Sequence, residues 1–221
     1  MRDINFSIHF WNKLAARYAK KPVPNEAIYQ QKLKWTQQYL SQTDLVFEFG
    51  CGTGSTALQH APKVSKIEAT DISPAMIDIA KSRAQEANIP NITFAVGQIE
   101  MLDIKPNTYN AVLGLNVMHL VDEPATTLQH IWRVLKEDGV FISSTPLLKN
   151  ESFLVRSIIK CMQLLRKAPF INLMTQDDYT NLVTQAGFEL VHTWAPTKSS
   201  LFLVARKPSS KGINSSKPNL I

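Results

Sequence analysis

The sequence predicts an α/β fold: a doubly wound sheet of seven strands, mostly parallel and finished by a C-terminal antiparallel hairpin. Three observations predict it. Apolar runs of strand length alternate with segments of helical periodicity from Asp44 to Pro146, joined by connections too long for hairpins, which is the pattern of βαβ crossovers. The first run, "VFEFGCGTGSTAL" (Val46 to Leu58), passes into a turn that holds Gly50, Gly52 and Gly54, three of the chain's eight glycines. The last two apolar runs, "FELVHTW" and "SLFLVAR", are separated only by a short loop containing Pro196, as an antiparallel pair requires.

Ahead of the sheet, Pro24 to Leu40 sets Ile28, Leu33, Trp35, Tyr39 and Leu40 at roughly helical spacing behind Asn25, whose side chain can cap. Asp44 to Gly50 is the first strand, and Lys66 to Ser73, which carries Asp71, is the second. Ser73 and Pro74 make a cap and a first turn; the helix they open, Pro74 to Ala87, turns Met76, Ile77, Ile79 and Ala80 inward. Asn91 to Gly97 is a third strand. Tyr109 to Val117 is a fourth, apolar nearly throughout, as a strand buried on both faces should be. Glu123 to Lys136 is helical, Asp138 and Gly139 form a turn, and Val140 to Pro146 is the fifth strand. Glu151 to Lys167 and Thr175 to Gly187 are two further helices, the latter with a capping box from Thr175 to Asp178 and a closing glycine. Residues 208–221 are polar and turn-forming, the pattern of a flexible tail.

A chain of 221 residues, 44% hydrophobic and 19% charged, has the composition of one self-sufficient globular domain, taken as residues 1–207. The net charge of +6 suits an anionic substrate, nucleic acid or an anionic membrane surface, and equally suits solubility. Cys51 and Cys161 are the only cysteines and stand in no CxxC or Cys/His ligand spacing, so neither a disulfide framework nor a metal site is expected. The N-terminus has no uninterrupted apolar core of a signal peptide, and no window approaches the roughly 18 apolar residues of a membrane span. A cytoplasmic location is expected.

Glycine between strand and helix permits positive φ and lets a ligand reach the backbone. Two ligand classes compete for such a turn. A dinucleotide fingerprint requires GxGxxG, but here the third glycine comes one residue early and Ser55 stands where the fingerprint has its last glycine. Glu48, just before the turn, is a poor neighbour for pyrophosphate and a good one for an ammonium group. Asp71, at the end of the second strand, stands where a carboxylate usually holds a ribose diol.

In "VFEFGCGTG", and in "ATDIS" followed by a helix, the sequence resembles the first two motifs of the class I S-adenosylmethionine-dependent methyltransferases, closely from Val46 to Val140 and more loosely from Trp11 to Arg206. The resemblance implies a Rossmann-like sheet order, S-adenosyl-L-methionine as cofactor, and a place for each motif residue. Glu48 and the backbone of Gly50, Cys51, Gly52 and Gly54 would receive the methionine end, Asp71 the ribose, and Ile72 and Met76 the adenine ring. In "VGQIEML", Gln98 stands where the family commonly has an acidic residue; it offers a side-chain carbonyl to the adenine amino group, and Ile99 could present its backbone N–H. Asn116 would line the cofactor. "FWNKLAARYAKK" resembles the segment that closes over the cofactor in small-molecule members, which makes residues 1–43 a helical cap with Phe10, Trp11 and Tyr18 as lid residues and Tyr18 touching ligand. The same aromatics could instead anchor a helix on the sheet edge. Family members that methylate nucleic-acid amines commonly carry an Asn- or Asp-Pro-Pro-aromatic motif where this chain has "NVMH", so nucleic acid is not an expected partner.

Methyl transfer from a sulfonium is an in-line displacement that needs a positioned nucleophile and, for a neutral hydroxyl, a nearby base. His119, at the carboxyl end of the fourth strand, is the catalytic candidate; it could deprotonate a hydroxyl, or pack and cap its loop. His9, His60, His130 and His192 fall on helical or edge positions and are expected at the surface. Residues 147–175 form the expected lid insert, where Arg156, Lys160, Gln163 and Lys167 share one stripe beside a broad apolar face of Leu154, Val155, Ile158, Ile159, Met162 and Leu165. Such a helix could cover an apolar acceptor, lie on an anionic membrane, or pack on the sheet with its basic stripe outward. The expected activity is methyl transfer to a small apolar or aromatic acceptor. The alternatives are an S-adenosylmethionine-binding protein without transfer activity and an NAD(P)-dependent oxidoreductase.

Overall fold

The computed structural model describes residues 4–209; residues 210–221 of the expected tail lie outside the described residues. Two helices, α1 (Ile4–Ala19) and α2 (Glu26–Gln38), precede the sheet. Its strands are β1 (Leu45–Phe49), β2 (Lys66–Asp71), β3 (Ile92–Val96), β4 (Tyr109–Leu115), β5 (Leu135–Pro146), β6 (Glu189–Thr197) and β7 (Ser200–Arg206). Between them lie α3 (Ser55–His60), α4 (Pro74–Glu86), α5 (Pro124–Val134), α6 (Phe153–Leu164) and α7 (Gln176–Gln185). The strand order is β3-β2-β1-β4-β5-β7-β6. β7 runs antiparallel to both β5 and β6, and the other pairs are parallel. This is the expected seven-stranded doubly wound sheet with its terminal hairpin.

From β1 the chain winds outward to β3, then returns to place β4 on the other side of β1. That reversal opens a crevice beyond the carboxyl ends of β1 and β4, where folds of this type bind ligands. The two sheet faces bury separate cores. One joins Phe47, Phe141 and Leu203 to Leu128 and Ile131 of α5 and Tyr179 and Val183 of α7. The other joins Val46, Ile67, Ile142 and Phe202 to Ala57 of α3 and Ile77 and Ala80 of α4. Trp35 ties α2 to the hairpin, its ring 4.4 Å from His192, 4.6 Å from Trp194 and 5.8 Å from Phe202.

The helix caps follow the sequence. Asn25 accepts from Ile28 N–H, Ser73 accepts from Met76 N–H, and Thr175 and Asp178 close the capping box of α7. Three expectations need correction. β5 begins at Leu135, so Asp138 and Gly139 lie inside its irregular first part rather than in a free turn; Leu135 pairs with Tyr109 before a register shift, and Asp138 takes a φ of +61°. Pro196 belongs to the end of β6, where the register with β7 slips between Trp194 and Thr197; an edge strand tolerates the missing N–H. His60 is fully buried, not at the surface. It ends the six-residue α3 beside buried Ala57 and Ala61, and a helix this short has no free face at that position.

Among the described residues, no helix is long and apolar enough to cross a membrane, and no group of three or more His, Cys, Asp and Glu residues could hold a metal ion.

Candidate functional site

The glycine turn sits at the mouth of the crevice. Gly50, Gly52 and Gly54 all have positive φ, but the space around them differs. A Cβ on Gly50 would stand 2.4 Å from Val117 Cγ2, and one on Gly54 would stand 3.0 Å from both Ala80 Cβ and the Phe94 ring. Those two glycines serve packing. A Cβ on Gly52 would meet nothing nearer than the Tyr18 ring, 3.9 Å away, so its backbone is the part of the turn open to a ligand.

Two carboxylates flank the turn. Glu48, buried in β1, accepts a hydrogen bond from the Thr56 hydroxyl on Oε1, while its Oε2 has no partner. Burial pushes this carboxyl up to about 7 against the opposing pull of Thr56. Asp71, ending β2, accepts from Gly52 N–H on Oδ2 and from Ser73 N–H on Oδ1, each at 2.9 Å. Burial raises its carboxyl above the ordinary value, and these two N–H groups hold it back. Each oxygen retains a lone pair for a further donor.

The α1 helix lies across this ground. Asn12 Oδ1 accepts from the Ser73 hydroxyl at 2.6 Å and from Ala75 N–H at 3.2 Å, fixing α1 to the start of α4. At its other end Arg83 donates to Ala19 O at 2.7 Å and, through Nη1, to Thr53 Oγ1, Thr53 O and Ser55 Oγ at 2.8, 3.3 and 3.0 Å. The half-exposed Tyr18 ring stands over Gly52, and partial burial, then the Asp71 charge, raises its phenol above the ordinary value. Neither Asn12 nor Arg83 is found by motif reading. Arg83 does carry a signal, because it falls on the α4 stripe of buried Met76 and Ala80, where an unpartnered guanidinium would be costly.

The remaining expected residues divide by accessibility. Gly50, Ile72 and Gln98 are half-buried along the crevice and Asn116 is exposed at its edge, in a left-handed turn with φ +59° whose N–H donates to Ser144 O. Ile99 and Met76 are buried, the first in the core against α5 and the second in the first turn of α4, and Gly54 is covered by its neighbours. Cys51 is buried, and burial raises its thiol well above the ordinary value, with the Glu48 and Asp71 charges adding to the shift. It packs as a small apolar group. His119 lies in the 3₁₀ turn after β4, its Nδ1 3.3 Å from Thr145 Oγ1, and burial lowers its imidazole to about 4. The segment after α6 reaches this turn, where Asn172 N–H donates to His119 O at 2.7 Å.

A doubly wound sheet of this order, with a glycine turn, a buried carboxylate in β1 and a second carboxylate ending β2, defines the class I S-adenosylmethionine-dependent methyltransferases. Residues 46–139, which carry the glycine turn and both carboxylates, match the family described as "Methyltransferase domain". Its cofactor is S-adenosylmethionine. The residues present fit that group: the unpartnered Glu48 oxygen answers an ammonium, and the open Gly52 backbone beside Asp71 leaves room for a ribose.

The chain is 30% identical over 97 residues to the uncharacterized methyltransferase YcgJ of Bacillus subtilis, across 44% of this chain and 38% of that protein. It is 31% identical to the demethylmenaquinone methyltransferase of Symbiobacterium thermophilum, across 49% of this chain and 47% of that one. The matched segments thus span less than half the length of these relatives. The solved structure of YcgJ aligns with a TM-score of 0.69 at 15% identity, over 81% of this chain and 99% of that one. Geranyl diphosphate C-methyltransferase from Streptomyces coelicolor, solved with geranyl diphosphate and S-adenosyl-L-homocysteine, aligns with a TM-score of 0.66 at 14% identity, over 80% of this chain and 77% of that one.

Proposed function

We propose that this chain transfers a methyl group from S-adenosylmethionine to a small apolar or aromatic acceptor, by O- or C-methylation. Its main support is the buried Glu48 oxygen left without a partner in the strand that leads into the open Gly52 backbone, a combination suited to the cofactor's amino acid end. When bound, the cofactor supplies an electrophilic methyl on a sulfonium; the residues bind, orient and exclude water. Glu48 and the backbone of Gly50, Cys51, Gly52 and Gly54 hold the methionine end, Asp71 the ribose diol, and Ile72, Met76, Gln98 and Ile99 form the adenine side, with Asn116 as a wall and Tyr18 as a cover. In this reading residues 1–207 are one catalytic domain, with 1–43 as its cap and 147–175 as its lid over the acceptor.

His119 is neutral at neutral pH because burial holds its pKa near 4. It therefore serves first as an acceptor that orients a hydroxyl, and takes the proton only as methyl transfer makes that hydroxyl acidic. A small-molecule acceptor, no nucleic-acid partner and a cytoplasmic location complete the proposal.

Calorimetry followed by a labelled-methyl assay tests this. S-adenosylmethionine and its demethylated product are expected to bind while NAD gives no heat, and label is expected to pass into organic-extractable material from a lipid extract. Binding without transfer to any pool would leave a cofactor-binding protein, and heat from NAD would restore the oxidoreductase.

A further inference from the structure

The α6 helix is built the wrong way round for a packed amphipathic helix. None of its residues is buried, and Phe153, Leu154 and Leu164 are 79%, 68% and 85% exposed. Its hydrogen bonds run to the flanking segments: Arg156 donates to Lys149 O at 3.2 Å and Gln163 to Pro169 O at 3.1 Å. Of the expected basic stripe, Lys160 and Lys167 are exposed and Arg156 and Gln163 are half-buried. Leu154, Ile158 and Leu165 are exposed as well, so the helix also turns an apolar row outward. The helix is anchored, with Ser152 capping its start and the Arg166 guanidinium 5.6 Å from the Phe6 ring of α1 just past its end.

We infer that this face docks on an anionic lipid membrane. Residues 152–174 include Arg156, Lys160, Arg166 and Lys167 and no acidic residue, and Lys160 and Lys167 are exposed. Apolar side chains rimmed by cations match the acyl boundary and head groups of an anionic leaflet. The same charges oppose pairing with a second copy, which would bring like-charged faces together. The lid segment ends at the His119 turn, so docking would set the acceptor side of the crevice against the bilayer. That role rests on the apolar-acceptor proposal; the binding itself does not.

The test is flotation of the full chain with vesicles of equimolar phosphatidylserine and phosphatidylcholine. Wild type is expected to float with them at low salt, to be released by high salt, and to ignore pure phosphatidylcholine. Lys160→Gln with Lys167→Gln is expected to weaken partitioning by about fivefold per charge. Leu154→Ser with Ile158→Ser and Leu165→Ser is expected to lose binding while thermal midpoint and affinity for the demethylated cofactor stay unchanged, since all three side chains are exposed. Wild type that ignores anionic vesicles, or a serine variant that still binds, overturns docking. So does a lipid-free dimer that the serine variant splits, because a second copy then covers the face. Docking without methyl transfer from any lipid extract would remove the apolar-acceptor proposal alone. Transfer to a water-soluble acceptor by a protein that ignores vesicles would remove both docking and the apolar acceptor while leaving methyl transfer.

Discussion

Arg83 and Ala19 are joined by a 2.7 Å hydrogen bond from the guanidinium to the last carbonyl of α1, and the same guanidinium grips the glycine turn at Thr53 and Ser55. Arg83 therefore ties the end of α1 to the glycine turn, as Asn12 ties its middle to the start of α4. Removing it leaves the carbonyl at the end of α1 without its cation.

Arg83→Met is expected to cost about 2 kcal/mol of stability and to release the end of α1 ahead of global unfolding. Limited trypsin digestion is the measurement: cleavage after Arg17 or Lys20 should speed up much more than cleavage elsewhere. Uniform acceleration at all sites would show Arg83 to be an ordinary stabilising residue.

Gly50 and Gly52 should separate folding from binding. Gly50→Ala adds a Cβ 2.4 Å from Val117 at a φ of +63° and should destabilise strongly. Gly52→Ala meets open space, so only about 1 kcal/mol of left-handed strain is expected, while its Cβ enters the ligand ground near Tyr18. Thermal melts with and without S-adenosylmethionine distinguish the two; a Gly52→Ala protein that keeps full ligand-induced stabilisation would place the ligand elsewhere.

Cofactor affinity should depend on pH through Glu48. Its carboxyl sits at about 7 in the free protein, and an incoming ammonium requires the ionised form, so binding releases a proton below that pH. Affinity is expected to drop by up to about tenfold per pH unit as pH falls below 7. Glu48→Gln should bind more weakly at pH 8 and lose this dependence. A slope that survives in Glu48→Gln would assign the proton to another group.

His60 should make the fold sensitive to acid. Burial lowers it from 6.5 to about 4 in the folded chain, so the unfolded chain binds the extra proton between those values and stability falls as pH drops through that window. The group accounts for about 3 kcal/mol across it. His119, also held near 4, acts in the same direction, and Glu48, raised to about 7, acts against both. The difference between wild type and His60→Leu isolates His60: the variant's advantage in urea midpoint should widen from pH 7 to pH 4. A constant difference would mean that His60 is already hydrated in the folded state.

The glycine turn is legible in sequence because left-handed backbone leaves few substitutes for glycine, and the βαβ pattern fixes where Glu48 and Asp71 end their strands. The start of β5 is not legible, since "KEDG" has good turn chemistry and long-range pairing draws it into the sheet, Leu135 with Tyr109 and the backbone of Asp138 and Gly139 with Lys207. A helical wheel shows that α6 has two faces but not that its large apolar side chains stay exposed, which depends on what the rest of the fold leaves uncovered. Burial of His60 escapes for the same reason, because it depends on what packs over a six-residue helix.

The contact of Trp35 with His192, Trp194 and Phe202 joins the second helix to the last two strands. During synthesis the ribosome delivers α2 long before those partners exist. Its large indole must wait in water, or in passing contacts, until the hairpin emerges and threads β7 between β5 and β6. The helix is early in sequence and late in folding. Refolding should therefore reach native tryptophan emission only when the C-terminal edge of the sheet is closed, and a chain halted before β6 should keep α2 open to proteases and chaperones even with the glycine turn already formed.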